Sequence, residues 1–165
     1  MSERVFAYGS NMCSGRFRDY GVSPEGKGVP ALLRDHRLLF NKRSDDGSGK
    51  ANVEAAAGVD VWGVLYTIPN ADLGVLESEE VGYVKRNEPV TVDDTVIEAW
   101  VLVASHPRAE PRQPYGWYKR FLVDGAREHG LPASYIDSLD TIQATDDSDR
   151  ERDQKKRALK CAEGT

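Results

Sequence analysis

A chain of 165 residues, 39% hydrophobic and 30% charged, is long enough to bury one core without disulfides or metal. Its formal charge of −5 speaks against a nucleic-acid binder, whose footprint would be basic, and no apolar run approaches the length of a membrane span. Two cysteines, Cys13 and Cys161, and three scattered histidines, His36, His106 and His129, form neither a disulfide framework nor a metal-ligand spacing. Met1-Ser2-Glu3-Arg4 lacks the apolar core of a signal peptide. A cytoplasmic protein in a reducing compartment is expected, with no metal, nucleic-acid or membrane partner.

The opening residues 4–8 are an extended apolar run that stops at Gly9-Ser10-Asn11-Met12. Gly9 permits unusual backbone angles and lets a ligand or another chain approach the main chain closely. Ser10 and Asn11 favour a cap or turn whose N–H groups face outward. Donors converging on one spot make a small anion or oxyanion receptor. Taken alone, the segment reads first as an ordinary capped corner between a strand and a helix.

Residues 14–20 are a short helix ended by Gly21, and 24–28 are loop. Residues 29–42 read as one long strand or a bent pair. The polar cluster 44–50 is a turn, expected to be a mobile hairpin tip, and 51–53 a short strand. Residues 59–68, almost continuously apolar, read as a central strand covered on both faces. Pro69-Asn70 breaks it. Asn70 is expected to cap a helix carrying Asp72 in its first turn, where the dipole favours an anion. That helix ends in Glu77-Ser78-Glu79-Glu80.

Two strands, 83–92 and 95–104, are joined by Asp93-Asp94 as a hairpin. The connector 107–114 holds three prolines. Trp117, Tyr118, Phe121, Leu122, Gly125 and Ala126 then recur at helical spacing, and Gly130 with Pro132 marks the stop. A further helix bears Ala133, Ile136, Leu139 and Ile142. From residue 145 the chain is charged with almost no apolar face, which predicts a frayed, solvated helix or disorder. The organisation is one domain over 1–144 and a charged tail over 145–165. Strands first and helices last make it α+β and not a βαβ series, and the absence of G-x-G-x-x-G and Walker patterns leaves a nucleotide without a cradle.

Two places break the local rules. One is the opening turn. The other is the acidic run at a helix C-terminus, where the dipole disfavours anions. A carboxyl that turns inward there has its pKa raised by desolvation and like charge, which suits a general acid and base. Glu77 and Glu79 read as solvated. Ser10 or Cys13 with a histidine is a weaker, hydrolytic reading.

Phe6-Ala7-Tyr8-Gly9-Ser10-Asn11-Met12 resembles the Tyr-Gly-Ser-Asn signature of the γ-glutamylcyclotransferase family. The resemblance continues through Gly49-Lys50-Ala51-Asn52, Val61-Trp62-Gly63-Val64-Leu65-Tyr66, Leu76-Glu77-Ser78-Glu79-Glu80 and the helix from Tyr118 to Pro132. It implies a small mixed β-barrel flanked by helices, with a cavity at its mouth. It puts the catalytic glutamate on Glu80, the spacing from Leu76 favouring Glu80 over Glu79. It assigns substrate binding to Tyr8, Gly9, Ser10, Asn11 and Met12, with Tyr118 as a nearby hydroxyl. One departure is Val81-Gly82-Tyr83, which shortens the family's loop after the glutamate. The implied reaction cyclises a γ-glutamyl amide to 5-oxoproline and releases an amine, without a cofactor. The alternatives are a non-catalytic binding module on the same scaffold and a hydrolase using Ser10 or Cys13. The partner is a small γ-glutamyl compound, and the oligomeric state is not legible.

Overall fold

A computed structural model describes residues 1–162. Five strands close into a barrel in the order β1 (Ser2–Ala7), β5 (Val61–Pro69), β2 (Val29–Leu33), β6 (Tyr83–Val92) and β7 (Thr95–Ala104). All neighbours run antiparallel except at the closure, where β1 pairs in parallel with β7 through Val5↔Trp100 and Phe6↔Val101. β5 sits between β1 and β2 and is buried along most of its length, as its unbroken apolar run predicts. β6 and β7 pair in register from Tyr83↔Ala104 to Val92↔Thr95 around Asp93-Asp94. Of these two strands only β7 alternates clearly, with Ala99, Val101 and Val103 facing the core.

The segment 29–42 is the bent pair. Its second half, β3 (His36–Lys42), leaves the barrel and pairs with β4 (Lys50–Ala55) in a separate two-stranded sheet. Asn52 ties that sheet to the barrel. Its side-chain oxygen accepts the Ala104 N–H at 2.9 Å, and its Nδ2 donates to Asn41 at 3.0 Å.

The five α-helices of the described residues are α1 (Ser14–Tyr20), α2 (Asn70–Glu79), α3 (Gly116–Glu128), α4 (Ala133–Asp140) and α5 (Arg150–Ala158). α3 is the central one. Trp117, Tyr118, Phe121, Leu122 and Ala126 are all buried on the face that its helical spacing predicts. None of these helices is long and apolar enough to cross a membrane.

Four local expectations are corrected. Asn70 is the first helical residue and makes no side-chain cap; Pro69 holds the cap position. Asp72 instead accepts the Ser23 N–H at 2.8 Å, fastening α2 to the loop after α1. The 44–50 turn is no mobile tip. Asp46 accepts the Ser48 N–H at 2.9 Å and the Lys50 ammonium at 2.7 Å, and Ser48 is buried. The tail forms the expected helix, α5, with no buried residue of its own, but it is anchored and not frayed. Asp149 caps α5 through the Arg152 N–H at 3.0 Å, and buried Asp147 receives Arg152 at 2.6 Å through two nitrogens and Trp117 Nε1 at 2.9 Å. These bonds hold the Asp147 carboxyl well below the usual range.

The fourth correction concerns the cysteines. Cys13 and Cys161, 148 residues apart, form a disulfide with Cα atoms 4.6 Å apart. The argument from cysteine number to a reducing compartment therefore falls. Pairing at such separation cannot be read from two cysteines alone, because the fold alone brings them together. Cross-linking so long a loop constrains the unfolded chain strongly. Cys161→Ser, or addition of a dithiol reductant, is expected to destabilise the protein by about 2–4 kcal/mol. Denaturant titrations with and without reductant check this, and coincident midpoints would contradict it.

Candidate active site

The end of β1 runs directly into the site. Val5, Phe6, Ala7 and Tyr8 are buried in succession, and the chain then makes one 3₁₀ turn, Ser10–Met12. That turn is closed by Met12 N–H to the Gly9 carbonyl and Cys13 N–H to the Ser10 carbonyl, both at 3.1 Å. The N–H groups of Ser10 and Asn11 take no acceptor among the described residues. Gly9 has φ −111, so close approach and not a left-handed angle accounts for it. A Cβ there would lie 3.0 Å from that of Ala51 and 3.3 Å from the Tyr118 hydroxyl. The Ser10 side chain does not cap the turn.

Glu80 arrives from the opposite side. It leaves α2 as its C-cap with φ −99 and ψ 52, its N–H still bonded to the Leu76 carbonyl. The Glu80 carbonyl accepts the Tyr83 N–H at 3.2 Å, and Gly82, at φ 86, supplies the left-handed residue of this tight reversal into β6. The shortened loop is thus a four-residue turn that leaves Glu80 partly buried, while Glu77 and Glu79 are exposed. Asn11 Nδ2 donates to Glu80 Oε1 at 2.5 Å. The two motifs, 69 positions apart in sequence, meet in one hydrogen bond.

They share a cavity of about 150 Å³ walled by Tyr8, Gly9, Ser10, Asn11, Arg16, Tyr20, Lys42, Lys50, Ala51, Glu79, Glu80, Tyr83 and Tyr118, with apolar backing from Val5, Phe6, Ala7, Phe17, Val81 and Leu102. Met12 is not among them. It is fully buried, and its carbonyl accepts the Tyr66 hydroxyl at 3.0 Å. Its place in the motif is a packing position.

Three phenols order the cavity. Tyr8 donates to the Leu102 carbonyl of β7, Tyr83 to the Ala51 carbonyl at 2.7 Å, and Tyr118 accepts the Ala51 N–H at 3.0 Å. Both polar groups of the Ala51 peptide unit region are thereby held by side chains. Burial pushes the Tyr8 and Tyr118 phenols up, Tyr118 to about 12, so both stay protonated near neutrality. Tyr118→Phe is expected to cost about 1–3 kcal/mol, because it strands the buried Ala51 N–H without an acceptor. Thermal melting of the variant checks this.

Burial raises the Glu80 carboxyl above the usual glutamate range. The Asn11 hydrogen bond and the charges of Arg16 and Lys42 oppose that rise, and Glu79 adds to it. The expectation of a carboxyl drawn inward at this helix end agrees with its position. The arrangement can hold a polar ligand between outward N–H groups and a carboxyl able to exchange a proton.

The hydrolytic reading loses its parts here. Cys13 has no free thiol, and no histidine belongs to the cavity wall. His129 bonds the Gly125 carbonyl at 3.0 Å through Nδ1 and lies against Tyr66. Arg16, Tyr20, Lys42 and Tyr83 were not singled out from sequence as cavity residues. For Tyr83 a signal existed, since it is the first strand residue after the Glu80 turn. Arg16 gave none, being one of two arginines on a short polar helix. Lys50 is a partnered cation, bound to Asp46 and stacked 4.6 Å and 4.8 Å from the Trp117 and Tyr118 ring centroids.

The fold defines the class, a γ-glutamylcyclotransferase-like α+β barrel. A solved γ-glutamyl cyclotransferase matches it with a TM-score of 0.81 at 26% identity, covering 96% of this chain and 100% of that one. In sequence, residues 60–139 match the AIG2-like family, a segment that includes Glu80 and Tyr118 and starts after the opening turn. The γ-glutamylcyclotransferases of Bos taurus and Homo sapiens are each 28% identical, over 149 and 151 residues, covering 86% of this chain and 79% of theirs. The chain is thus similar to the γ-glutamylcyclotransferases over most of its length, in sequence and in fold.

Proposed function

We propose that the protein cyclises a γ-glutamyl amide to 5-oxoproline and releases the amine or amino acid, with Glu80 as general base and then general acid. The observation that carries this reading is the Asn11–Glu80 hydrogen bond, which joins the opening turn to the only carboxyl turned away from solvent at the end of α2.

The substrate brings its own nucleophile. Its α-nitrogen attacks the γ-carbonyl carbon, a C–N bond forms, and the bond to the leaving nitrogen breaks. An enzyme that folds the substrate into the attacking conformer gains a large entropic advantage. The α-ammonium must first lose a proton, and ionised Glu80 accepts it. Collapse of the tetrahedral intermediate needs a proton on the leaving nitrogen, and protonated Glu80 returns it. The α-nitrogen loses two protons in all, and the leaving group departs as an ammonium with both, so no water or co-reactant is consumed. The Ser10 and Asn11 N–H groups are free to meet negative charge developing on the γ-oxygen. Tyr118, fixed at Ala51 and beside Gly9, borders the same space.

The test is product identity. Incubation with a panel of γ-glutamyl amino acids and amines is expected to yield 5-oxoproline and one equivalent of amine. Free glutamate would indicate hydrolysis instead, and ligand-induced thermal stabilisation without any turnover would indicate a binding module.

A further inference from the structure

Arg16 is the third residue of α1 and part of the cavity wall. The residue is only 9% exposed. The guanidinium carbon lies 5.0 Å from the Phe121 ring centroid and 5.2 Å from that of Tyr20, and Nη2 donates to the Tyr20 hydroxyl at 2.8 Å. Nε and Nη1 are buried with no acceptor. Lys50, another buried cation of the wall, is already matched by Asp46.

Asn11 presents the opposite deficit. Its Nδ2 is committed to Glu80, while its Oδ1 is buried without a donor. One short piece of backbone thus carries two buried guanidinium nitrogens without an acceptor and a buried amide oxygen without a donor, beside a carboxyl. Buried charge and buried polar atoms are costly unless partnered. Their complement is a ligand with an anion and a cationic donor on neighbouring atoms, which is the head group of an α-amino acid.

We propose that Arg16 seats the α-carboxylate of the glutamyl unit, with the α-ammonium held between the Asn11 amide oxygen and Glu80. This rests on the cyclotransferase reading and sharpens it. The carboxylate leaves the turn N–H groups to the γ-oxygen. The ammonium sits against the carboxyl that deprotonates it. With carboxylate and amine both fixed, the third arm of the α-carbon must carry the γ-carbonyl in one direction.

The experiment compares γ-glutamylalanine with the same compound carrying a carboxamide in place of the glutamyl α-carboxylate. Wild type is expected to lose on the order of 100-fold in kcat/KM on the carboxamide, because the buried guanidinium stays unpaired. Arg16→Met is expected to lose a similar factor on the carboxylate substrate and to treat the two compounds within about threefold of each other. Arg16→Lys keeps the charge without the planar fork and should retain part of the preference. Calorimetry with 5-oxoproline and its amide gives the same comparison as affinities, independent of turnover. The proposal is overturned if wild type handles either pair alike, or if Arg16→Met keeps the discrimination. Should Arg16→Met not fold, the wild-type and Arg16→Lys comparisons decide. Absence of turnover on every γ-glutamyl compound would sink the cyclotransferase reading alone, and the calorimetric pair would still judge the carboxylate seat.

Discussion

Glu80→Gln is expected to lower kcat/KM for 5-oxoproline release by on the order of 10³ while the protein stays folded. Glutamine has the size of glutamate, and its carbonyl can still accept the Asn11 amide. What it lacks is the ability to carry a proton. The substrate would bind with its α-nitrogen charged and unreactive, and the leaving nitrogen would have no donor.

The same substitution has a signature in stability. Glu80 has a folded-state pKa above its ordinary value, chiefly through burial, so the folded state binds protons more tightly than the unfolded one. Its ionisation therefore works against folding, and stability falls as pH rises through the folded-state pKa. Glu80→Gln should melt higher than wild type at neutral pH, and the gap should close as pH drops below the ordinary glutamate range. The acid limb of the wild-type kcat/KM profile should likewise lie above that range, because the base must be ionised. A variant with full activity, or one less stable than wild type at pH 7, would show that Glu80 has neither the role nor the environment assigned to it.

Gly125→Ala carries the largest expected loss of stability. Gly125 lies in the middle of α3, where alanine would ordinarily be preferred by about 1 kcal/mol. Here an added Cβ would stand 2.4 Å from the Met12 carbonyl carbon and 2.5 Å from the Cys13 nitrogen. These are backbone atoms of the 3₁₀ turn, held by the Tyr66 hydroxyl on one side and the disulfide on the other. No rotamer change relieves the contact, so either α3 or the turn must shift. A cost of about 3 kcal/mol or more is expected, at the upper end of overpacking effects. The displaced turn also bears Asn11, so activity should fall further than the loss of folded protein explains. Chemical denaturation together with activity per folded molecule checks both parts. A variant as stable as wild type would mean that α3 does not press directly on the turn.

How far this could be read from sequence depended on how local each feature is. The β6–β7 hairpin was legible because Asp93-Asp94 fixes its register, and β5 because its apolar run is unbroken. The meeting of the Asn11 turn with Glu80 is a long-range fact, and it was legible only through two motifs that resemble a known family. Closure of the barrel by a parallel β1–β7 pair leaves no local mark, since neither strand signals its neighbour. The 44–50 turn has the composition of a solvated tip. Its order comes from Asp46, where hydrogen bonds from Lys50 and Ser48 outweigh burial and lower the carboxyl to about 2. Arg16 reads as one more charge on an amphipathic helix until Phe121 and Tyr20, from two helices, enclose it.

The Cys13–Cys161 bond makes the polypeptide between those residues a covalently closed ring. A tensile load applied to the two ends of the chain passes through β1 and then through sulfur, bypassing the other four barrel strands. Single-molecule stretching of the oxidised protein should therefore release no length from residues 13–161 until a reductant is admitted. A processive unfoldase gripping one end would have to draw a doubled chain through its channel. Thiol chemistry, more than barrel strength, would then set the rate at which such a machine consumes the protein.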